Sequence, residues 1–346
     1  MSRKMTVMLT AVGAAVAICV AGCSSSKSKT TASSADTSAG TNAGQSVSLV
    51  EYSVPKPAYD ALTAAFQKTP AGKGVDFKAS YGASGTQSKN VSSGTIKADY
   101  VGFSVTPDLT KLVPDFVDPS WNADANKGIV SDSVVVITVR KGNPLHITGW
   151  DDLIKPGVKI VTPDPASSGS AKWNILAAYE HVIADGGSED DAKAYLTKFF
   201  GNVVSRAASG AVATTQFLGG TGDVLISYEN EAIDARQAGK SIDYIVPDES
   251  VLIENPAAVT KTASPAAKDF LAFVRSDAGQ KIFAQQGFRP VANGLSYGDV
   301  KGANDPSKPF PTVKKLTTVA DLGGWTAVNA KFFGDSGLVT EIEKGS

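Results

Sequence analysis

Residues 46–104 read SVSLVEYSVPKPAYDALTAAFQKTPAGKGVDFKASYGASGTQSKNVSSGTIKADYVGFS, and this stretch decides the fold class. Ser48 to Tyr52 is short and largely apolar, as a strand is. Ala58 to Phe66 places apolar residues at three- and four-residue spacing, the pattern of a helix with one buried face. Val75 to Ala79 reads as a second strand, 86–94 as a second helix and Ala98 to Ser104 as a third strand. Strands alternating with helices build α/β units around a mostly parallel sheet.

The alternation continues toward the C-terminus. Ser133 to Val139 (SVVVITV) is apolar and β-branched, so it predicts a buried strand. Val158 to Val161, Val224 to Ser227 and Ser241 to Val246 predict further strands, and Ala171 to Ile183 and Asp190 to Phe200 predict helices. Ser264-Pro265 supplies an N-cap and a proline at the first helical position for a helix over 266–275; 276–287 opens with Ser and closes with Gly as another. The block from about 140 to 255 is a complete α/β lobe. The pattern before it needs the C-terminal helices to cover its sheet. The expectation is a two-lobed α/β protein with the second lobe inserted into the first: 47–136 and 257–346 in lobe 1, 137–256 in lobe 2, with crossings near 133–140 and 251–260.

Ahead of this lies a segment of another kind. Arg3 and Lys4 precede an apolar run from Met5 to Val20, and Val20-Ala21-Gly22-Cys23 ends it in small residues and a cysteine. That is the anatomy of an export signal, and the run is short for a membrane span, which takes about 20 predominantly apolar residues. A cysteine at the cut is the pattern of bacterial lipoprotein signals, so residues 1–22 are read as a signal peptide and Cys23 as the lipidated anchor. Residues 23–46 are rich in Ser, Thr, Ala and Gly and read as a flexible tether. The remainder is then extracytoplasmic and anchored to the cell membrane. Without 1–22 the net charge is −3, which excludes the basic surplus of a nucleic-acid binder. Both cysteines, Cys19 and Cys23, lie at the N-terminus, so the folded part has no disulfide to lean on.

Three segments share one design, each rich in Ser, Gly and Ala and each placed just before a helix: Tyr81-Gly82-Ala83-Ser84-Gly85-Thr86, Ala166-Ser167-Ser168-Gly169-Ser170-Ala171 and Ala208-Ser209-Gly210-Ala211. A helix N-terminus has free N–H groups and a partial positive charge, so it binds anions without a cationic side chain. A serine N-cap is also the ordinary way to begin a helix; the recurrence in one exported α/β chain is what carries weight. There is no G-x-x-x-x-G-K-S/T loop for nucleotide phosphate and no G-x-S-x-G elbow. His146 and His181 have no cysteine or second histidine nearby in sequence, so no metal site and no catalytic base is expected. Asp151-Asp152 and Glu189-Asp190-Asp191 read as helix-start charges, Trp150 and Trp173 as core. Whether Glu229 and Glu231 are exposed or pair across the cleft stays open.

Thr162 to Tyr179, T-P-D-P-A-S-S-G-S-A-K-W-N-I-L-A-A-Y, resembles the T-P-N-P-x-S/T-S-G-G-A-K/R-W-N signature of bacterial sulfate-binding proteins, the substrate-binding components of sulfate and thiosulfate ABC importers. The resemblance continues through Trp150 to Val158, Gly222 to Ala232, Phe288 to Pro290 and Gly323 to Trp325. It implies a two-lobed periplasmic-binding-protein fold of type II, with a dehydrated oxyanion held between the lobes. By motif match it implies Ser84 as hydroxyl donor of the first lobe, Ser168, Gly169 and Ser170 as donors at the start of the helix that follows them, and Gly210 as a backbone donor. Tyr228 stands where many members have Trp, and Ser53 where many have Asp. Ser170 replaces a second Gly, and Ala211 a basic residue.

The implied partners are sulfate, the subunits of an ABC permease and the membrane through Cys23; no nucleic acid, no cofactor and a monomer are expected. Sulfate is a full dianion at neutral pH, so its ideal site is all donors. Phosphate retains a proton there and calls for a carboxylate. None lies within the three turns, although Asp164 is four residues before Ser168. The alternatives are another oxyanion (thiosulfate, molybdate, tungstate or phosphate) and, less favoured, an exported hydrolase.

Overall fold

The computed structural model describes residues 40–344; the signal segment, Cys23 and most of the tether lie outside the described residues. In chain order the elements are β1 (Ser46–Tyr52), α1 (Lys56–Phe66), β2 (Asp76–Gly82), α2 (Ser84–Ser92), β3 (Tyr100–Gly102), α3 (Thr106–Thr110), β4 (Ile129–Arg140), a 3-10 turn (Trp150–Ile154), β5 (Ile160–Pro163), α4 (Gly169–Ala184), α5 (Glu189–Gly201) and β6 (Val203–Ala207). Then come α6 (Gly210–Leu218), β7 (Val224–Tyr228), α7 (Glu229–Gln237), β8 (Ile242–Ile245), β9 (Glu249–Val259), α8 (Pro265–Arg275), α9 (Asp277–Gln285), β10 (Lys315–Thr317), α10 (Gly324–Val328), a π turn (Asn329–Phe333) and α11 (Leu338–Lys344).

Strand order is β2-β1-β3-β9-β4-β7-β5-β6, with β10 on β9 and β8 on β4. Pairs β1–β2, β1–β3, β5–β6 and β5–β7 are parallel, the signature of helix-connected crossovers. Every antiparallel pair involves β4 or β9. These two long strands link the lobes. Ile129 to Val134 of β4 pairs with β9, and Val135 to Val139 pairs with β7. β9 in turn pairs with β4 up to Pro256 and with β3 from Ala257 on. β9 is the main element that sequence reading passes over. Glu254, Asn255 and Pro256 break its apolar pattern at the point where it changes partner.

The core follows the predicted periodicities. Val47, Leu49, Tyr59, Leu62 and Phe66 from β1 and α1 are buried with Phe270 of α8 and Phe283 of α9, and the rings of Phe66 and Tyr59 meet those of Phe270 and Phe283. Val161, Ala207, Phe217, Leu225 and Ile233 form a second cluster. Trp150 and Trp173 are buried, as core residues should be.

Two parts of the expected layout differ. The last residues assigned to the tether belong to the folded body: Asn42 is buried and its amide donates to the Ala71 carbonyl and to Asp269. The segment after Tyr297, expected in lobe 1, packs largely on the elements of lobe 2. Val300, Ala303 and Val313 join the Phe217–Ile233 cluster, Trp325 meets Trp173 edge-on, and Phe332 meets Tyr179. The apolar residues of this segment find their partners on α4 and α7, and such pairing is invisible to local periodicity.

Candidate anion-binding site

The turns that sequence reading singled out all follow the carboxyl ends of parallel strands, where open α/β sheets bind ligands. Ser53 follows β1, Ser84 follows β2, Ser168 to Ser170 follow β5, Gly210 follows β6 and Tyr228 ends β7. β1 and β2 run parallel to each other, as do β5, β6 and β7, so within each lobe these chain-distant turns emerge at one end of the sheet.

Most of them meet. A Cβ built at Gly169 would lie 2.7 Å from both Cβ and Oγ of Ser104 and 3.3 Å from Cβ of Ser84. One built at Gly210 would lie 2.8 Å from Val54 Cγ2, 3.0 Å from Ser170 Oγ and 3.3 Å from Glu231 Oε2. The Gly85 N–H donates to the Ser167 carbonyl at 3.1 Å, joining the two serine-glycine turns directly. Tyr228 is fully buried, and its hydroxyl shares a 2.7 Å hydrogen bond with Ser104 Oγ. Burial holds the Tyr228 hydroxyl above its ordinary pKa, against hydrogen bonds with Ser104, Ser170 and Asn255. Ser53 is half-buried, and its neighbour Val54, rather than Ser53 itself, makes the contact with Gly210.

The helix N-termini are the source of donors. α2 and α4 begin after Ala83 and Ser168 in extended conformation, and neither has a side-chain cap. Their first N–H groups have no acceptor within the helix, and of these the Gly85 N–H of α2 is taken by the Ser167 carbonyl. α6 differs, since Ser209 Oγ accepts from the Val212 N–H. Ser168 is therefore the residue that precedes an uncapped helix, buried to 3% exposure.

Three residues of this constellation were not identified from the sequence as site residues. Ser104 is its hub: its N–H donates to Ser84 Oγ at 3.0 Å, and its carbonyl accepts from Trp173 Nε1 at 2.9 Å and Asn255 Nδ2 at 3.1 Å. Its position just beyond β3, like that of Ser53 beyond β1, is the signal that could have found it. Asp108 is buried and accepts the Ser84 hydroxyl at 2.7 Å, so in this arrangement that proton points at a carboxylate. Lys111 Nζ lies 3.0 Å from the other Asp108 oxygen. Glu231, left open between exposed and cleft-facing, is buried beside Gly210; it accepts from Ser227 Oγ at 2.5 Å and Thr214 Oγ1 at 2.9 Å. Burial raises its pKa, opposed by those hydroxyl donors. Asp164 instead accepts the Ala166 N–H within its own turn. The constellation thus combines helix N-termini without side-chain caps with carboxylates whose oxygens already receive donors.

His181 did not remain isolated. Its ring is buried on α4 with Asp151 and Glu249 on either side, and Asp185 lies nearby. His146 sits in an exposed turn at positive φ.

The chain matches the family described as bacterial extracellular solute-binding proteins over residues 49–289. It is 37% identical to a sulfate-binding protein of Synechococcus elongatus over 311 residues, covering 86% of each chain. It is 32% identical to a thiosulfate-binding protein of Pseudomonas aeruginosa, covering 85% of this chain and 90% of that one. Among solved structures, the sulfate-binding protein SubI of Mycobacterium tuberculosis H37Rv superposes with a TM-score of 0.78 at 44% identity, covering 84% of this chain and all of that one.

Proposed function

Since the chain belongs to the family of bacterial extracellular solute-binding proteins, we propose that it captures sulfate between its two lobes and delivers it to an ABC importer, without catalysing a reaction. The observation that carries this reading is the meeting of Ser84, Gly169, Ser170, Gly210 and Tyr228 from separate strand ends, around helix N-termini that lack side-chain caps. Ser53 and Ser168 complete the proposed set from the flanking turns.

Sulfate at neutral pH has no proton to donate, and its oxygens only accept. Removing its water is costly unless fixed hydrogen bonds replace it. The N-termini of α2 and α4 supply N–H groups already oriented, together with the positive ends of two helix dipoles. Closure is a hinge motion about the β4–β9 crossing. In the proposed division, 47–136 and 257–296, which includes α8 and α9, form lobe 1. Lobe 2 is 137–256 together with the C-terminal segment that packs on it. Cys23, lipidated and made the first residue by removal of 1–22, would hold the monomeric protein on the outer side of the membrane through the part of the 23–46 tether that precedes the folded body. No described helix is long and apolar enough to cross a membrane.

Thiosulfate is the second reading, favoured by the Pseudomonas aeruginosa relative. Thermal unfolding with sulfate, thiosulfate, molybdate and phosphate added separately tests both. A ligand bound only by the native state stabilises by about 2.7 kcal/mol at a hundredfold excess over Kd. A rise with sulfate and not phosphate is expected. A rise with phosphate alone would mean that Glu231 or Asp108 accepts a ligand proton, and no rise with any of the four would remove the function while leaving the fold.

A further inference from the structure

We propose that His181, Asp185 and Glu249 form a second ligand site, for a divalent transition-metal ion of the zinc type, remote from the anion site. His181 lies in the last turn of α4 and Asp185, four residues on, is the residue that caps its C-terminal end; Glu249 opens β9. Their ligand atoms all lie within 4.8 Å of one another. They border a cavity of about 300 Å³ that also touches Asp151, Asp248 and Trp150. His181 lies twelve residues beyond Gly169, about 18 Å along the helix at 1.5 Å per residue.

The ring geometry points to a cation. Nδ1 of His181 is 3.2 Å from Glu249 Oε2, and Nε2 is 3.1 Å from Asp151 Oδ1. A neutral imidazole carries one N–H and one lone pair. With a neutral ring, one of these contacts therefore sets a lone pair against a carboxylate oxygen. A metal ion between Nδ1 and Glu249 removes that conflict. With bonds of about 2.0–2.2 Å to each atom, a separation of 3.2 Å corresponds to an ordinary angle between two ligands. Nε2–H then donates to Asp151, the outer carboxylate that characteristically orients a metal-binding histidine. The ring is held for this role, with Trp150 stacked on one side and Tyr195 edge-on. Trp150 Nε1 donates to the Glu249 carbonyl, tying the same strand end to the 3-10 turn.

Lys315 now fills part of the cation role. Its Nζ contacts Asp185 and lies 3.8 Å from Glu249 Oε1, on a side chain that is 45% exposed. A metal ion would displace it.

The test is titration of the purified chain with zinc chloride and cobalt chloride, read by calorimetry, by thermal midpoint and by cobalt absorption, in chloride buffers that keep sulfate out. Binding of one equivalent with a raised midpoint is expected. Glu249→Gln and His181→Gln should abolish it. Asp151→Asn should weaken it about 10- to 100-fold, and Lys315→Ala, which removes the competitor, should tighten it. If His181→Gln fails to fold, Glu249→Gln and Lys315→Ala still decide. Absence of binding at about a hundredfold more metal than such sites need, or equal binding by Glu249→Gln, would overturn the proposal. A midpoint unchanged by either metal would also overturn it.

Discussion

Gly169→Ala isolates lobe closure from the supply of donors, because it leaves the α4 N–H groups in place. The added Cβ would lie 2.7 Å from Cβ and Oγ of Ser104 and 3.3 Å from Cβ of Ser84, well inside the 3.5–4.0 Å of ordinary carbon contacts. Ser104 has no room to yield. It is fully buried, its N–H is bonded to Ser84, its hydroxyl to Tyr228 and its carbonyl to Trp173 and Asn255. Overpacking of this kind costs about 1–3 kcal/mol, and the helix preference of alanine over glycine is common to the open and closed forms, so it does not offset that cost. A penalty of about 1–3 kcal/mol corresponds to roughly 5- to 150-fold weaker binding. Ser84 and Ser104 follow strands of the first lobe and Gly169 follows a strand of the second, so the penalty falls on the closed form. Calorimetry with sulfate should show the loss of affinity, and the ligand-free thermal midpoint should not fall by more than about 1 °C, less than the roughly 1.5 °C by which 1 kcal/mol would shift a chain of this size. Unchanged affinity would refute the reasoning. So would an equal loss of ligand-free stability, which would place the contact in the fold and not in closure.

Ser84→Ala removes the hydroxyl between Asp108 and the Ser104 N–H; it should lower unfolding free energy by about 1–3 kcal/mol, as loss of a buried partner does, and weaken sulfate binding as well. Denaturant unfolding beside calorimetry separates the two, and full retention of both would remove Ser84 from the site. Asp132 has its pKa raised to about 7 by burial and by Glu254, against Arg289. The native state then holds a proton that the unfolded chain releases near pH 4, so stability is fullest below pH 4, falls as pH rises toward 7 and levels off above. Asp132→Asn should flatten that part of the profile; an unchanged profile would exclude Asp132 as its source. Cys23→Ser should move the protein from the membrane fraction to the soluble fraction and abolish lipid labelling, whereas labelling that persists would exclude Cys23 as the anchor.

What the sequence made legible was local. The apolar spacing of Ala58 to Phe66 and the β-branched run Ser133 to Val139 announced α1 and β4 because each carries its own burial pattern. The serine-glycine turns were legible because helix starts need small polar residues. What stayed hidden depends on contacts across the chain. β9 holds Pro256 where it exchanges β4 for β3, a change of partner with no period of its own. Ser104 becomes a hub only when β3 emerges beside β1, and Glu231 reaches Gly210 only through the packing of α7 near α6. The C-terminal segment offered apolar residues without showing that α4 would receive them.

The sequence argument for sulfate over phosphate rested on the lack of a carboxylate in the three turns, and the fold requires a different argument, because it brings two carboxylates close. Discrimination turns on whether their lone pairs are available. Asp108 receives the Ser84 hydroxyl on one oxygen and faces Lys111 with the other. Glu231 receives Ser227 on one and Thr214 on the other. Engaged in this way, each has fewer lone pairs to offer to the proton of a phosphate. An anion with acceptors alone finds the N-termini of α2 and α4 without having to satisfy a carboxylate. Ser84 is the point of competition, since its single proton goes either to Asp108 or to the ligand. Its contribution to affinity is therefore the difference between two charge-assisted hydrogen bonds. The backbone N–H groups of Gly169 and Ser170, which have no such alternative within α4, should carry the larger share.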